Sequence, residues 1–230
     1  MPTFVVFDLE TDTVLPRGTG AIEREFAIER SEATVLCCLV FDSGEALLSS
    51  NWKEARKTAV EHTFWRDVAE PGKGPFDGAL ALFDEAEAIV AYNGLGFDMK
   101  VLSKYYASSK LGRHRLLTHR LKLLDPMVRI AQALDTRFSS LDNLLRINGL
   151  AGKSSSGLEA IGMWERGERG ELEEYCMNDV ETLANLVFLP TLKVAGGTVL
   201  PNAVHGAASF VFAQRAVAAL SVTGDWVVVQ

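Results

Sequence analysis

The sequence is poor in cysteine, in long apolar runs and in net positive charge. Its three cysteines, Cys37, Cys38 and Cys176, show no C-x-x-C spacing. Structural zinc is therefore not expected, and the usage fits a reduced, intracellular, cytoplasmic protein. No apolar run approaches the roughly 18 residues needed to span a bilayer. The pattern enters a strand within the first residues, so no signal peptide or membrane association is expected. The net charge of -7 argues against a simple nucleic-acid coat protein, whose partner would be polyanionic. It leaves open an enzyme that reaches nucleic acid through metal ions. The 230 residues suffice for one full-sized core, or for one domain with an appendage.

The chain opens with a short buried strand, Phe4–Phe7, ending in "DLET". Residues 12–31 carry Pro16, Gly18 and Gly20 and read as a long loop with room for a helical turn. "ATVLCCLVFDSGEALLSS" reads as a hairpin turning at "DSGE". Residues 52–75 read as a polar connector. "FDGALALFDEAEA" then has helical character, "AIVAYN" reads as a strand ending at Asn93, and "FDMKVLSKYYASS" as a helix. "RLKLLDP" looks like a strand stopped by Pro126. "MVRIAQAL" and "SLDNLLRIN" follow as helices, the second capped by Ser139 or Ser140. "LEAIGMWERGE" reads as a short helix, and "GELEEYCMNDVETLANLVF" is the clearest helix in the chain. This order predicts an α/β fold, a mixed sheet with helices on both faces. Residues 191–230 differ in character: "TLKVAGGTVLPNAVHG" is loop-like, "AASFVFAQRAVAALS" a plausible amphipathic helix and "DWVVVQ" a strand. They form an extension that packs on the core or on a protein partner.

Several acids stand in unusual places. Asp8 and Glu10 are two residues apart on a strand, so both point to one side. They are either cation ligands or the polar end of a strand, at the position where open α/β sheets carry their sites. Asp98 opens a helix five residues after Asn93, where it would complement the helix dipole in any case. Tyr175 and Asp179 are four residues apart and share a helix face. Taken singly, each has a plain reading: a helix-start acid, a turn asparagine, a solvated aspartate beside a half-buried tyrosine. Brought together, four carboxylates would repel one another and shift upward in pKa. Divalent cations relieve that penalty, and hard oxygen ligands favour Mg²⁺ or Mn²⁺. Two such ions about 3.5–4 Å apart are a standard device for in-line attack on a phosphodiester.

"FDLET", "AYNGLGFD" and "YCMND" resemble the three motifs of the DEDD exonucleases, a superfamily with a ribonuclease H-like fold. Tyr175, four residues before Asp179, resembles the DEDDy branch; the DEDDh branch would place histidine where Glu174 stands. The resemblance covers about Phe4 to Leu189 and suggests a nuclease domain over residues 1–190. It is similar to small exonucleases related to the proofreading domains of family B DNA polymerases. It implies that Asp8, Glu10, Asp98 and Asp179 hold two Mg²⁺ or Mn²⁺ ions, and that Tyr175 orients the attacking water with Glu10. It implies that Leu9 and Thr11 contact the terminal nucleotide and that Asn93 faces the bound strand. The implied activity is 3′–5′ removal of nucleoside 5′-monophosphates from a DNA or RNA end.

Lys100, Lys104, Lys110, Arg113, Arg115, Arg120 and Lys122 follow one another with no acid among them. This basic segment either guides a phosphate backbone, with Lys100 and Lys104 nearest the site, or is a solvated helix end. Residues 12–31 are longer than the resemblance implies after the first motif. Two other readings use the same residues: an endonuclease or resolvase on the same fold, and a catalytically silent nucleic-acid-binding module.

Overall fold

A computed structural model describes residues 3–15, 20–41, 51–107, 109–134, 139–152, 157–202 and 205–206. A five-stranded sheet forms its centre, with strand order β3-β2-β1-β4-β5. Strand β1 (Thr3–Thr11) runs antiparallel to β2 (Ala33–Phe41), which runs antiparallel to β3 (Val60–Trp65). On its other side β1 lies parallel to β4 (Ala86–Val90), and β4 parallel to the two-residue β5 (Leu123–Leu124). The sheet is mixed and covered on both faces, as the pattern predicts.

Alternation along the strands splits the core in two. Phe4, Val6, Val35 and Cys37 face one cluster; Val5, Phe7, Leu9 and Cys38 face the other. All nine residues of β2 are buried, which explains why its sequence is continuously apolar rather than alternating. Ten elements of helix surround the sheet among the described residues: α1 (Ala21–Arg30), α2 (Trp52–Thr58), α3 (Asp77–Glu85), α4 (Asp98–Leu102), a 3₁₀ turn (Ser103–Tyr105), α5 (Lys110–Lys122), α6 (Pro126–Leu134), α7 (Leu141–Ile147), α8 (Gly157–Arg166) and α9 (Arg169–Val187). The stripe Leu172, Cys176, Val180, Leu183 and Val187 is fully buried, and α9 packs along β1 and β2. Truncating one of these leucines to alanine would cost about 2–5 kcal/mol.

The structure corrects several expectations. Residues 12–31 hold a ten-residue helix, α1, rather than a loop. The stretch read as a connector contains α2 and β3. In β3 Glu61, His62 and Thr63 stand together and no residue is buried, as suits an edge strand, and that polarity conceals it. "RLK" belongs to the last turn of α5, leaving only Leu123–Leu124 as strand. The loop-like start of the extension is a small antiparallel hairpin of β6 (Thr191–Lys193) and β7 (Val199–Pro201). Leu192 and Val194 from it join the core, and Asn202 donates to the carbonyls of Leu186 and Leu189 at the end of α9. The turn "DSGE", the arm after it, and the helix and strand expected after residue 206 lie outside the described residues. Ser140, not Ser139, caps α7: its Oγ accepts the N–H of Asn143 at 3.2 Å.

Candidate active site

The candidate acids stand on three separate elements: Asp8 and Glu10 on β1, Asp179 on α9, and Asp98 at the start of the helix that follows β4. Asp8 and Glu10 continue the alternation of Phe4 and Val6, so they emerge on the face covered by α9 where that apolar row ends. The ladder shifts register between Glu10 and Thr11. Helix α9 crosses this strand end. Cys176 Sγ donates to the main-chain carbonyl of Asp8 at 3.5 Å. One carboxylate oxygen each of Asp8 and Glu10 and the Cys176 sulfur lie within 4.8 Å of one another. Tyr175 and Asp179 are 5% and 1% exposed. Burial pushes the Tyr175 phenol up in pKa, and the nearby charges of Glu10, Asp179 and Asp8 push it further. The Cys176 contacts thus hold α9 against the strand end that bears Asp8 and Glu10.

Asp98 arrives from the neighbouring parallel strand. Strand β4 ends at Val90, and a tight turn over residues 91–97 delivers Asp98 as the first residue of α4, 2% exposed. Asn93 sits in the left-handed region at φ 61°. Its carbonyl accepts from Gly96 at 3.0 Å and Phe97 at 2.9 Å. An ionised carboxylate at such depth is costly unless hydrogen bonds or a cation compensate it. Asp8 and Glu10, half-buried at the end of β1, form a pair of hard oxygen donors, and Asp98 and Asp179 are further buried carboxylates on the elements beside it. That set fits Mg²⁺ or Mn²⁺. The Cys176 thiol does not suit a hard ion; burial raises its pKa well above the ordinary thiol value and it already donates to Asp8.

The residues expected to touch a substrate fall differently. Leu9 is 3% exposed and packs into the cluster on the opposite face from Asp8 and Glu10. Thr11 is buried, its hydroxyl 3.4 Å from the carbonyl of Thr13. The Asn93 amide donates to Asp125. Lys100 pairs with Glu25 of α1 at 2.5 Å, and Lys104 donates to the carbonyls of Glu29 and Ser31. Arg115 pairs with Asp84, and Lys122 bonds the carbonyls of Phe83 and Asp84. Much of the basic segment therefore ties helices together.

Two features escape sequence reasoning. Asp125 is buried and binds the turn that precedes Asp98; the signal was "DP", a capping acid before a proline at a helix start. The second is an aromatic and cationic clamp on the row that runs from Glu10 through Val35 to Trp65. The Trp65 and Trp164 rings are near-parallel at 6.4 Å, with Arg66 5.0 Å over Trp164 and Arg169 5.2 Å over Trp65. Both arginines also pair with acids, Arg66 with Asp12 at 2.5 Å and Arg169 with Asp67. The clamp fastens α8 and α9 to the sheet edge. Beside Tyr175 a cleft of about 660 Å³ is lined by Met163 and by glutamates including Glu171 and Glu174. Those charges repel phosphate, which makes it a poor path for a nucleic-acid strand.

Residues 6–189 match the RNase_H_2 family model of the RNase_H superfamily. No curated protein matches the sequence. Among solved structures, the chain is similar to the family B DNA polymerase from the hyperthermophilic archaeon Pyrobaculum calidifontis, with a TM-score of 0.52 and 17% identity over 81% of this chain and 24% of the polymerase. It is also similar to E. coli ExoI in its zinc-bound complex with single-stranded DNA, with a TM-score of 0.43 and 16% identity over 82% of this chain and 40% of ExoI. The chain thus spans a quarter to two fifths of the length of these proteins. The mixed sheet covered on both faces is the ribonuclease H-like fold, and the chain belongs to the RNase_H superfamily.

Proposed function

We propose that the protein is a metal-dependent 3′–5′ exonuclease of the DEDDy type, acting on single-stranded DNA or RNA ends. The observation that carries this reading is the approach of α9, which bears Tyr175 and Asp179, to Asp8 and Glu10 at the end of β1, where Cys176 Sγ lies 3.5 Å from the Asp8 carbonyl; the buried Asp98 follows β4, the parallel neighbour of β1. Membership of the RNase_H superfamily supports a nucleic-acid ligand here. Asp8, Glu10, Asp98 and Asp179 would hold two Mg²⁺ or Mn²⁺ ions. When bound, such ions acidify water and offset charge on the scissile phosphate. Burial and three acidic neighbours keep the Tyr175 phenol protonated, so it orients water as a hydrogen-bond donor rather than accepting a proton. With Glu10 accepting from the other side, the water is aimed at phosphorus. Water oxygen bonds to phosphorus, the P–O3′ bond breaks, and the departing 3′ oxygen takes a proton, releasing a nucleoside 5′-monophosphate.

Leu9 and Thr11, whose side chains are buried, would meet a terminal nucleotide through their main chain, Asn93 beyond β4 would face the bound strand, and Lys100 and Lys104 would have to leave Glu25 and the carbonyls of Glu29 and Ser31 to reach a phosphate. The extension after residue 190 packs on the core or serves a protein partner.

An endonuclease would cut a closed circle; an exonuclease requires an end. Incubation of linear, 3′-blocked and circular single strands with Mn²⁺ separates the two. Degradation of the linear strand alone supports the proposal. Cleavage of the circle overturns it.

A further inference from the structure

Asp125 stands between β5 and α6, 2% exposed. Its Oδ1 accepts the N–H of Asn93 at 3.0 Å and of Met127 at 3.1 Å, and its Oδ2 accepts the N–H of Leu95 at 3.2 Å. The Met127 bond caps α6, as an acid before a first-turn proline should. A cap needs no more than that. The other two bonds leave the helix and reach back 32 and 30 residues, to the turn that ends in Asp98.

That turn is tightly constrained. Asn93 adopts φ 61°, a left-handed conformation uncommon for residues with a Cβ, which asparagine adopts more readily than most in tight turns. A Cβ on Gly94 would lie 2.7 Å from Ala91 Cβ and 3.1 Å from Leu123 Cδ2, so the turn is pressed against β5 itself. The Gly94 carbonyl accepts from Met99 at 2.9 Å, within the first turn of α4. Each bond links the conformation at residues 93–95 to the placement of Asp98. A carboxylate is the group that can accept from both ends of the turn and from a helix at once; burial pushes the Asp125 pKa up, and the N–H groups of Leu95, Asn93, Val128 and Met127 work against that rise.

We propose that Asp125 is a positioning residue for the metal acids: it fixes the turn over residues 93–95 and, through it, Asp98. This rests on the nuclease reading above. The hydrogen bonds of Asp125 run to the turn and to the start of α6, so it acts through the turn.

The test uses the full chain with two substitutions. Asp125→Asn can keep the bonds from Asn93 and Met127 on its one oxygen, but turns an NH₂ group towards the Leu95 N–H. Asp125→Ser keeps a helix cap and is too short for the turn, which makes it a second variant should the first not fold. Ser140→Ala is the comparison, because it removes a cap from α7 and leaves the bonds of Asp125 in place. Mn²⁺ binding is measured by the electron paramagnetic resonance of free Mn²⁺, and kcat, KM and Tm on a 5′-labelled oligonucleotide. We expect both Asp125 variants to weaken Mn²⁺ binding and lower kcat by about tenfold or more, with KM within about twofold. Ser140→Ala should lower Tm alone. Asp125 variants that lose Tm yet keep wild-type Mn²⁺ binding and kcat would reduce Asp125 to a helix cap and overturn the proposal. A wild-type protein that binds no Mn²⁺ and cuts no strand would instead overturn the nuclease reading, and the proposal with it.

Discussion

Cys176 of α9 donates its thiol hydrogen to the main-chain carbonyl of Asp8, across 3.5 Å and 168 residues of sequence. The contact locks the helix that bears Tyr175 and Asp179 to the strand that bears Asp8 and Glu10. Replacing Cys176 by alanine removes the bond and leaves a small void. It should cost about 1–2 kcal/mol of stability and lower activity. Cys176→Ser, which retains a donor, should lose less. Neither should change Mn²⁺ affinity, because the sulfur is a helix anchor rather than a ligand. Denaturant melts and Mn²⁺ titrations check both halves; a large loss of metal affinity in Cys176→Ser would make the sulfur a ligand after all.

Tyr175→Phe removes one hydroxyl from a buried ring. The expected result is a fall in kcat of about ten- to a hundredfold, with Mn²⁺ binding and Tm near wild type. The Tyr175 phenol sits above its ordinary pKa. A wild-type activity profile that falls through a step near pH 10, absent in the phenylalanine variant, would show that the phenol titrates normally and would contradict the assigned protonated role.

Asp98 and Asp179 are buried acids, 2% and 1% exposed. Asp98→Asn and Asp179→Asn should each abolish activity while the metal-free protein stays folded. Mn²⁺ should raise the wild-type Tm and leave the variants unmoved. Calorimetry with and without metal measures this, and variants less stable than metal-free wild type would argue that these carboxylates are structural.

His119 is fully buried, with Nε2 2.7 Å from Asp84 Oδ1 and Nδ1 2.7 Å from Tyr106 Oη. A neutral ring satisfies both, donating to Asp84 and accepting from Tyr106. Burial holds the His119 pKa below 6.5 despite Asp84. The folded state therefore resists a proton that the unfolded chain accepts, so this contribution is present above pH 6.5 and is lost as pH falls. The Asp84 carboxyl, resisted by burial but lowered below 3.8 by Arg115 and His119, is lost only further into acid. Melting points taken from pH 7 to pH 5 should fall for wild type and fall less for His119→Gln, which can donate and accept without titrating. Equal slopes would remove His119 from the account.

The site was more legible in the sequence than its surroundings. Asp8 and Glu10 are readable because strand periodicity puts them on one face, and Tyr175 and Asp179 because helix periodicity does the same. The turn to Asp98 is readable from its glycines. Helix α1 was concealed because its exposed face carries Ile22 and Phe26, 73% and 57% exposed, and because Pro16, Gly18 and Gly20 precede it in the sequence. Strand β3 was concealed because an edge strand tolerates His62 and Glu61 where a central strand would not. Asp125 and the Trp65–Trp164 clamp depend on residues far apart in the chain, a relation that no local period encodes. The basic segment shows the converse: its charge is plain in the sequence, but its partners Glu25 and Asp84 are not.

The central claim is tested most directly by a 5′-labelled single strand, DNA and RNA in parallel, incubated with Mg²⁺, Mn²⁺ or EDTA beside an Asp8→Ala, Asp179→Ala double variant. A ladder that shortens from the 3′ end, with nucleoside 5′-monophosphates as product and nothing in EDTA or with the variant, is the predicted result. An intact strand under every metal condition, from a folded protein that binds Mn²⁺, would contradict the account and leave a binding module in its place.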